Sequence, residues 1–478
     1  MTYIVRRIPV TSLYIFSLLL CLALAVSCKK PNPDSVLLRF SQPIVHFDTL
    51  FTSIGSITRH FTVHNPSNSD IKTTIFLAGA NRSYYSINVN GVSGTFFKEM
   101  VIPKKDSIFI FVNVTINPGQ QNNPFLVTDS IIFLTGQRKQ DVKLLAYGQD
   151  ARFIVADQGP ANLRYKVVAG EHETVRWTKE KPYVVYGWAA IDSTGTLIIE
   201  PGTKIYFHNN SGLWAYRYSN LKVEGTLDEP VLFRGDRLES WFDSDFAQWN
   251  RIWINEGAEV HINNAIITNA FIGVQVEPLP DGNTINVTSD SKVRIENTII
   301  KNTRNCGVLS RFLNIDMTNC VIANNGASSL QLEGGQYTMK HLTIANYFTQ
   351  PERKVPACYV SNEVSLYELT GKTKADFINC IIFGSNETEV VVNKVQGDDY
   401  LEVSFQNCLI RAKDNSAYFI DCLRNEDPKF TDVKKLDFKL QPSSPAIGRG
   451  MPNIGVPEDI LGNLRGNPPD IGAYEFVR

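Results

Sequence analysis

The sequence has little to offer a polyanion. Its 47 Lys and Arg are balanced by 48 Asp and Glu, the net charge is −1 over 478 residues, and no long run of one sign occurs. Nucleic acid is therefore not an expected partner, because binding a phosphate backbone needs clustered cations. Metal-ligand spacing is also missing. The eight cysteines form no CxxC pair and no Cys/His cluster, so neither a zinc centre nor any other cofactor is expected. No acidic cluster suggests calcium. Beyond residue 30 no stretch repeats every 3.6 residues, which excludes a helical body. What is present is an all-β composition, rich in Asn, Ser and β-branched residues set in short segments between turn signals.

One apolar run stands apart. Arg6 and Arg7 precede Ile8–Val26, which stops at Ser27-Cys28-Lys29-Lys30. A short basic region, an apolar core and small residues at the exit read as a secretory signal. The alternative is an uncleaved anchor, since the run approaches the ~20 residues that span a bilayer. Leu24-Ala25-Val26-Ser27-Cys28 resembles a lipobox, with Ala25 where Leu is usual. The resemblance implies removal of residues 1–27, a lipid on Cys28, and an exported, membrane-anchored protein. Residues 28–41, with Pro31 and Pro33, read as a tether too polar to fold. By similarity to Gram-negative lipoprotein sorting, the absence of Asp just after Cys28 implies the outer membrane, with the leaflet left open.

Residues 42–150 alternate in short strands separated by turns such as Asn65-Pro66 and Thr135-Gly136. This pattern predicts a small β-sandwich. Phe61-Thr62-Val63-His64-Asn65, Ile102-Pro103 and Val142–Gly148 resemble ASH or MSP-like immunoglobulin-type domains.

Internal repetition carries the most information. Six segments align without gaps: Ile262–Ile267, Ile295–Ile300, Met317–Ile322, Met339–Ile344, Phe377–Ile382 and Phe405–Ile410. The spacing from Ile295 to Met317 and from Met317 to Met339 is 22 residues. A right-handed parallel β-helix over 181–425 explains each column, because stacked coils place every position above its counterpart. The first and last columns are apolar and point inward. The third is Asn264, Asn297, Asn319, Asn379 and Asn407, with His341 as the one substitution. Asn suits a stacked turn because it tolerates left-handed backbone. Asn302 is expected outside this ladder. The fourth column includes Cys320, Cys380 and Cys408, which read as small core residues. Free thiols are expected, although Cys380 and Cys408 on neighbouring coils could pair, and Cys306, Cys358 and Cys422 are unassigned.

Residues 151–180 read as a linker or N-terminal cap. Leu197–Ile205, Leu221–Thr226, Pro230–Phe233 and Trp253–Ala258 resemble the opening of bacterial right-handed β-helix lipoproteins. Asp437–Leu440, Ser444–Gly448, Asp459–Arg465 and Asp470–Glu475 resemble their C-terminal tail. A tail over 426–478 is expected to cover the last coil, whose open edges invite aggregation.

Catalytic chemistry is hard to find. Asp398-Asp399 resembles the Asp-Asp step of polygalacturonases, but the companion motifs are missing and adjacent strand residues face opposite ways. Lys292, Arg294, Lys301 and Arg304 are basic and close in sequence, as a lyase would need, with nothing else to mark them. The expectation leans away from an enzyme. All six tryptophans fall between Trp177 and Trp253. The stretch Arg234–Arg251 is too polar for a buried strand and too aromatic for an ordinary loop. Trp241, Phe242 and Trp249 could present planes to sugar rings, with Arg237, Asp243, Asp245 and Gln248 supplying hydrogen bonds. The alternative is that these rings fold back into the core. The expected function is non-catalytic binding of glycan or another surface polymer. Its rivals are a polysaccharide lyase or hydrolase and a structural or adhesive protein whose partner is a cell-surface protein.

Overall fold

A computed structural model describes residues 36–477, apart from 52–55, 57, 117–124, 239–241, 282–283, 286–291, 349–352, 396–399 and 414. The expected signal, Cys28, Trp241 and Asp398-Asp399 thus lie outside the described residues. The chain forms two compact units, 1–150 and 151–478.

The first unit is a β-sandwich. One sheet orders its strands Arg39–Phe40, Arg59–His64, Ser107–Val114, Tyr85–Val89 and Val92–Gly94. The other orders Ile44–Phe51, Arg138–Gln149, Phe125–Thr135, Ile71–Leu77 and Phe96–Ile102. Strict alternation along Ser107–Val114 sends Ile108, Ile110, Val112 and Val114 into the core beside Phe61 and Phe133. The Asn65 amide closes its turn by donating to the carbonyls of Ser69 (2.9 Å) and Ile102 (3.0 Å).

The second unit is a parallel β-helix of three sheets. The first face has 11 strands, from Arg152–Val155 to Leu423–Arg424. The second has nine, from Tyr165–Ala169 to Val390–Asn393, and the third ten, from Thr174–Trp177 to Phe419–Ile420. Residues 151–180, expected as a linker or N-terminal cap, form the first coil, since Arg152–Val155, Tyr165–Ala169 and Thr174–Trp177 each pair in parallel with the next coil.

The six aligned segments straddle the corner from the third face to the first. Their first column (Ile262, Ile295, Met317, Met339, Phe377, Phe405) and last column (Ile267, Ile300, Ile322, Ile344, Ile382, Ile410) are fully buried. Asn264, Asn297, Asn319, His341, Asn379 and Asn407 occupy the corner with φ between 48° and 55°. That left-handed backbone turns the chain sharply, and Asn pays less for it than most residues. Asn319 donates to the next ladder amide, Asn297 (3.2 Å), which itself donates to Asn263 beside the corner (2.9 Å). Cys320, Cys380 and Cys408 are buried free thiols, as are Cys306 and Cys358, while Cys422 is half-buried and also free.

Asn302 lies outside this ladder, as expected, but belongs to a second one not expected from the sequence. Asn269, Asn302 and Asn324 sit at φ 65°, 55° and 54° on the corner from first to second face. Asn324 donates to Asn302 at 2.7 Å.

The tail runs along the side of the stack. Arg449, Met451, Ile454 and Glu458 offer their carbonyls in turn to Asn407, Asn379, Lys340 and Asn319. Phe430, Phe438, Ile471 and Tyr474 cover Val321, Ala345, Ile381 and Leu409 on the outer side of the first face. These contacts run along the outer side of the first face and reach Leu423 of its last strand.

Candidate functional site

The Arg234–Arg251 loop is fastened to the second-ladder corner. Asn269 donates to the carbonyls of Asp243 (2.9 Å) and Asp245 (2.7 Å), and Gln248 to those of Phe242 (2.6 Å) and Asp245 (3.2 Å). Arg234 reaches the Asp243 carboxylate at 3.0 Å, and the Arg237 guanidinium lies 4.3 Å over the Phe242 ring. The Asp243 and Asp245 side chains stay exposed. Trp249 corrects the sequence expectation. Its ring is 1% exposed and stacks on Phe207 at 4.4 Å, while its indole N–H donates to the Thr268 carbonyl at 2.8 Å. A large ring gains more by entering the core than by standing in water, so no face of it is open to a sugar.

The aromatic grouping that does form lies on the outer side of the second face. Trp214 and Trp253 are stacked at 5.2 Å and Trp188 lies 5.7 Å from Trp253. Register puts Trp253 directly on Trp214. Further along the same face Glu277, Arg311 and Glu333 form an alternating charge ladder, with Arg311 bonded to Glu277 (2.8 Å) and Glu333 (3.0 Å). All three are nearly buried, and Trp253 donates to Glu277 at 3.2 Å. These groups satisfy one another, which is what burying charge requires.

Open space with unspent chemistry lies on the third face. Its strands alternate, so that in Lys292–Glu296 the residues Val293 and Ile295 point inward and Lys292, Arg294 and Glu296 outward. Parallel pairing aligns Lys222, His261, Arg294, Asp316, Thr338, Asp376 and Ser404 in one outward row. Over this row lie two cavities of about 500 and 730 Å³, which share Arg294, Asp316 and Thr338 and so form one groove. The tail segment Gly455–Gly462 lines its flank next to the Asn ladder. Within it His261 Nε2 meets Glu296 at 2.7 Å and Lys292 meets Glu259 at 3.0 Å. Of the four basic residues marked in the sequence, Lys292 and Arg294 therefore join the groove. Lys301 and Arg304 belong to the first face and its far corner, where burial lowers the Lys301 pKa against the pull of Asp243. No group of three or more His, Cys, Asp or Glu among the described residues is placed to hold a metal.

No family model matches the chain, and no curated protein does. Among solved structures it is similar to a family 123 glycoside hydrolase from Clostridium perfringens (8% identity, 28% of this chain and 26% of that one, TM-score 0.18). It spans about a quarter of that enzyme's length. It is also similar to WR4, an MSP family member of C. elegans (12% identity, 23% of this chain and 96% of that one, TM-score 0.15). A third is the catalytic domain of a GH87 α-1,3-glucanase in complex with nigerose (8% identity, 71% and 91% covered, TM-score 0.11). Likeness at these scores carries no weight for the site; the fold rests on the strand pairing itself.

Proposed function

We propose that the chain is an exported lipoprotein, held on the outer membrane through Cys28, whose β-helix binds a glycan or similar envelope polymer without cleaving it. The observation that carries the binding reading is the groove on the third face. It runs across successive rungs, and carboxylates, cations, hydroxyls and amides line it with few large apolar side chains. A polymer of sugar hydroxyls is matched by such mixed donors and acceptors. The aromatic loop at Arg234–Arg251 contributes less than its composition implies, since Trp249 is in the core.

Two experiments test this reading. A glycan array probed with the full chain in detergent should yield ligands that Thr338→Trp, which fills the middle of the groove, no longer binds at unchanged melting temperature. Binding that survives both Thr338→Trp and Asp316→Trp would place the ligand elsewhere. For the tether, Cys28→Ser should move the protein out of the detergent phase, and unchanged partitioning would refute lipidation. A hydrolytic or eliminative reading has one observation in its favour, the His261–Glu296 hydrogen bond one rung from Asp316. Release of reducing or unsaturated ends by the wild type, lost in His261→Ala, would establish it.

A further inference from the structure

Lys222, His261 and Arg294 face outward on three successive rungs, directly in register. Lys222 and Arg294 carry like charge two rungs apart with His261 between them, and like charges along a sheet repel unless counter-charges lie beside them. The nearby carboxylates are already engaged: Glu259 is paired with Lys292, and Glu296 with His261. Lys222 and Arg294 have no ion-pair or hydrogen-bond partner among the described residues, and Asp316, next in register to Arg294, forms no bond with it. Lys222, His261 and Arg294 all line the cavity of about 500 Å³ and stand on its N-terminal rungs. The row then changes character, passing through Asp316 and Thr338 to Asp376, whose carboxylate accepts from Ser404 at 2.8 Å.

We propose that this end of the groove is an anion subsite, in which Lys222 and Arg294 take carboxylates of a uronic-acid polysaccharide and His261 lies between them. This rests on the groove reading above and adds the charge of the ligand. Rungs repeat every ~4.8 Å, so the two free cations stand roughly 9.6 Å apart along the helix axis. They are thus placed to meet two separate carboxylates on one chain, rather than to clamp one. Arg294 can do so through two parallel N–H groups, whereas Lys222 acts as a point charge. The polymer's neutral hydroxyls would continue over Asp316 and Thr338.

The test is calorimetric titration of the full chain in detergent with hexagalacturonate, with a neutral hexasaccharide (maltohexaose or cellohexaose), and with inorganic phosphate at matched ionic strength. Hexagalacturonate should bind at least tenfold more tightly than the neutral oligomers and weaken with added salt, as screened charges do. Lys222→Gln with Arg294→Gln should erase that preference at unchanged melting temperature, and Lys222→Arg should keep most of it. Neutral oligomers binding as well as hexagalacturonate would overturn the anion subsite while leaving the groove reading standing. Phosphate displacing hexagalacturonate at equal concentration would also overturn it, because the site would then take any small anion. Binding of none of these sugars, with none found on the array, would sink both readings.

Discussion

His341 stands where five other corners carry Asn, and its burial makes that substitution measurable. Its Nε2 lies 3.1 Å from the Asn379 amide nitrogen and its Nδ1 3.2 Å from the Gly472 carbonyl. The amide can only donate, so Nε2 must accept and Nδ1 must carry the proton. A second proton would face the Asn379 N–H. Burial, and then the positive charge of Arg465, push the imidazole pKa down from 6.5 to about 3. In the unfolded chain the ring titrates normally. Between those values the unfolded state binds the proton and the native state does not, so stability falls as pH falls. Each pH unit in that window costs about 1.36 kcal/mol, and the loss from pH 7 to pH 5 comes to about 2 kcal/mol. The substitution His341→Asn restores the ladder residue and removes this titration. All six tryptophans lie between 177 and 253, so tryptophan fluorescence follows unfolding of the β-helix unit alone. Denaturant midpoints at pH 7 and pH 5 should therefore shift less in His341→Asn than in the wild type. Equal shifts in both proteins would refute a neutral, buried His341, and an NMR titration placing its pKa near 6.5 would do the same directly.

Three further outcomes are expected. Asn319→Leu strips partners from Asn297, from the Glu458 carbonyl and from Arg465, and Asn302→Leu strips one from Asn324; each should cost about 1–3 kcal/mol by denaturant unfolding, and a neutral Asn302→Leu would remove the second ladder from the energetics. Trp249→Ala should cost about 3–5 kcal/mol and leave ligand affinity intact in whatever fraction stays folded, so a lost ligand at unchanged stability would return that ring to the binding surface. In a thiol-reactivity assay on the native chain, Cys422 should react first, because its hydrogen bond with Cys408 lowers its thiol pKa while burial pushes that of Cys320 up to about 12; simultaneous reaction of several thiols would contradict the packed core.

The corner from third to first face was legible because stacking forces one environment onto every coil. A left-handed Asn followed by a small buried side chain therefore recurs at a fixed offset. The second ladder was legible in principle: Asn269, Asn302, Asn324 and the buried Asn346 each follow a first-ladder position by five residues. A seventh corner at Asp421, φ 51°, was hidden because the coil before it is short and the residue is not Asn. The first coil escaped notice for a related reason: between Arg152 and Lys181 the left-handed residues are Gly159 and His172, so no Asn announces it. Of the groove's charged residues only Lys292 and Arg294 were marked for chemistry in the sequence. Lys222, His261 and Arg294 are 39 and 33 residues apart, and only the register of coils with unequal loops brings them together. The flanking segment comes from the tail, more than a hundred residues away. Trp249 misled for the opposite reason, since polar neighbours in sequence hid a side chain that alternation sends inward.

The path of the tail bears on how this architecture can change in length. From Arg449 to Glu458 the chain meets the corners carrying Asn407, Asn379, Lys340 and Asn319 in descending order, a few residues per rung. It then doubles back, and Arg465 and Gly472 engage Asn319 and His341. A solenoid can ordinarily gain or lose a unit by duplication, because each repeat touches only its neighbours. Here a coil inserted between Asn319 and Asn407 would leave every later tail contact one rung out of step. The tail acts as a gauge for the number of rungs beneath it, and a duplication before Asn319 would leave that match undisturbed. Its own residues, last in the chain, brace the coils from Asn319 to Asn407.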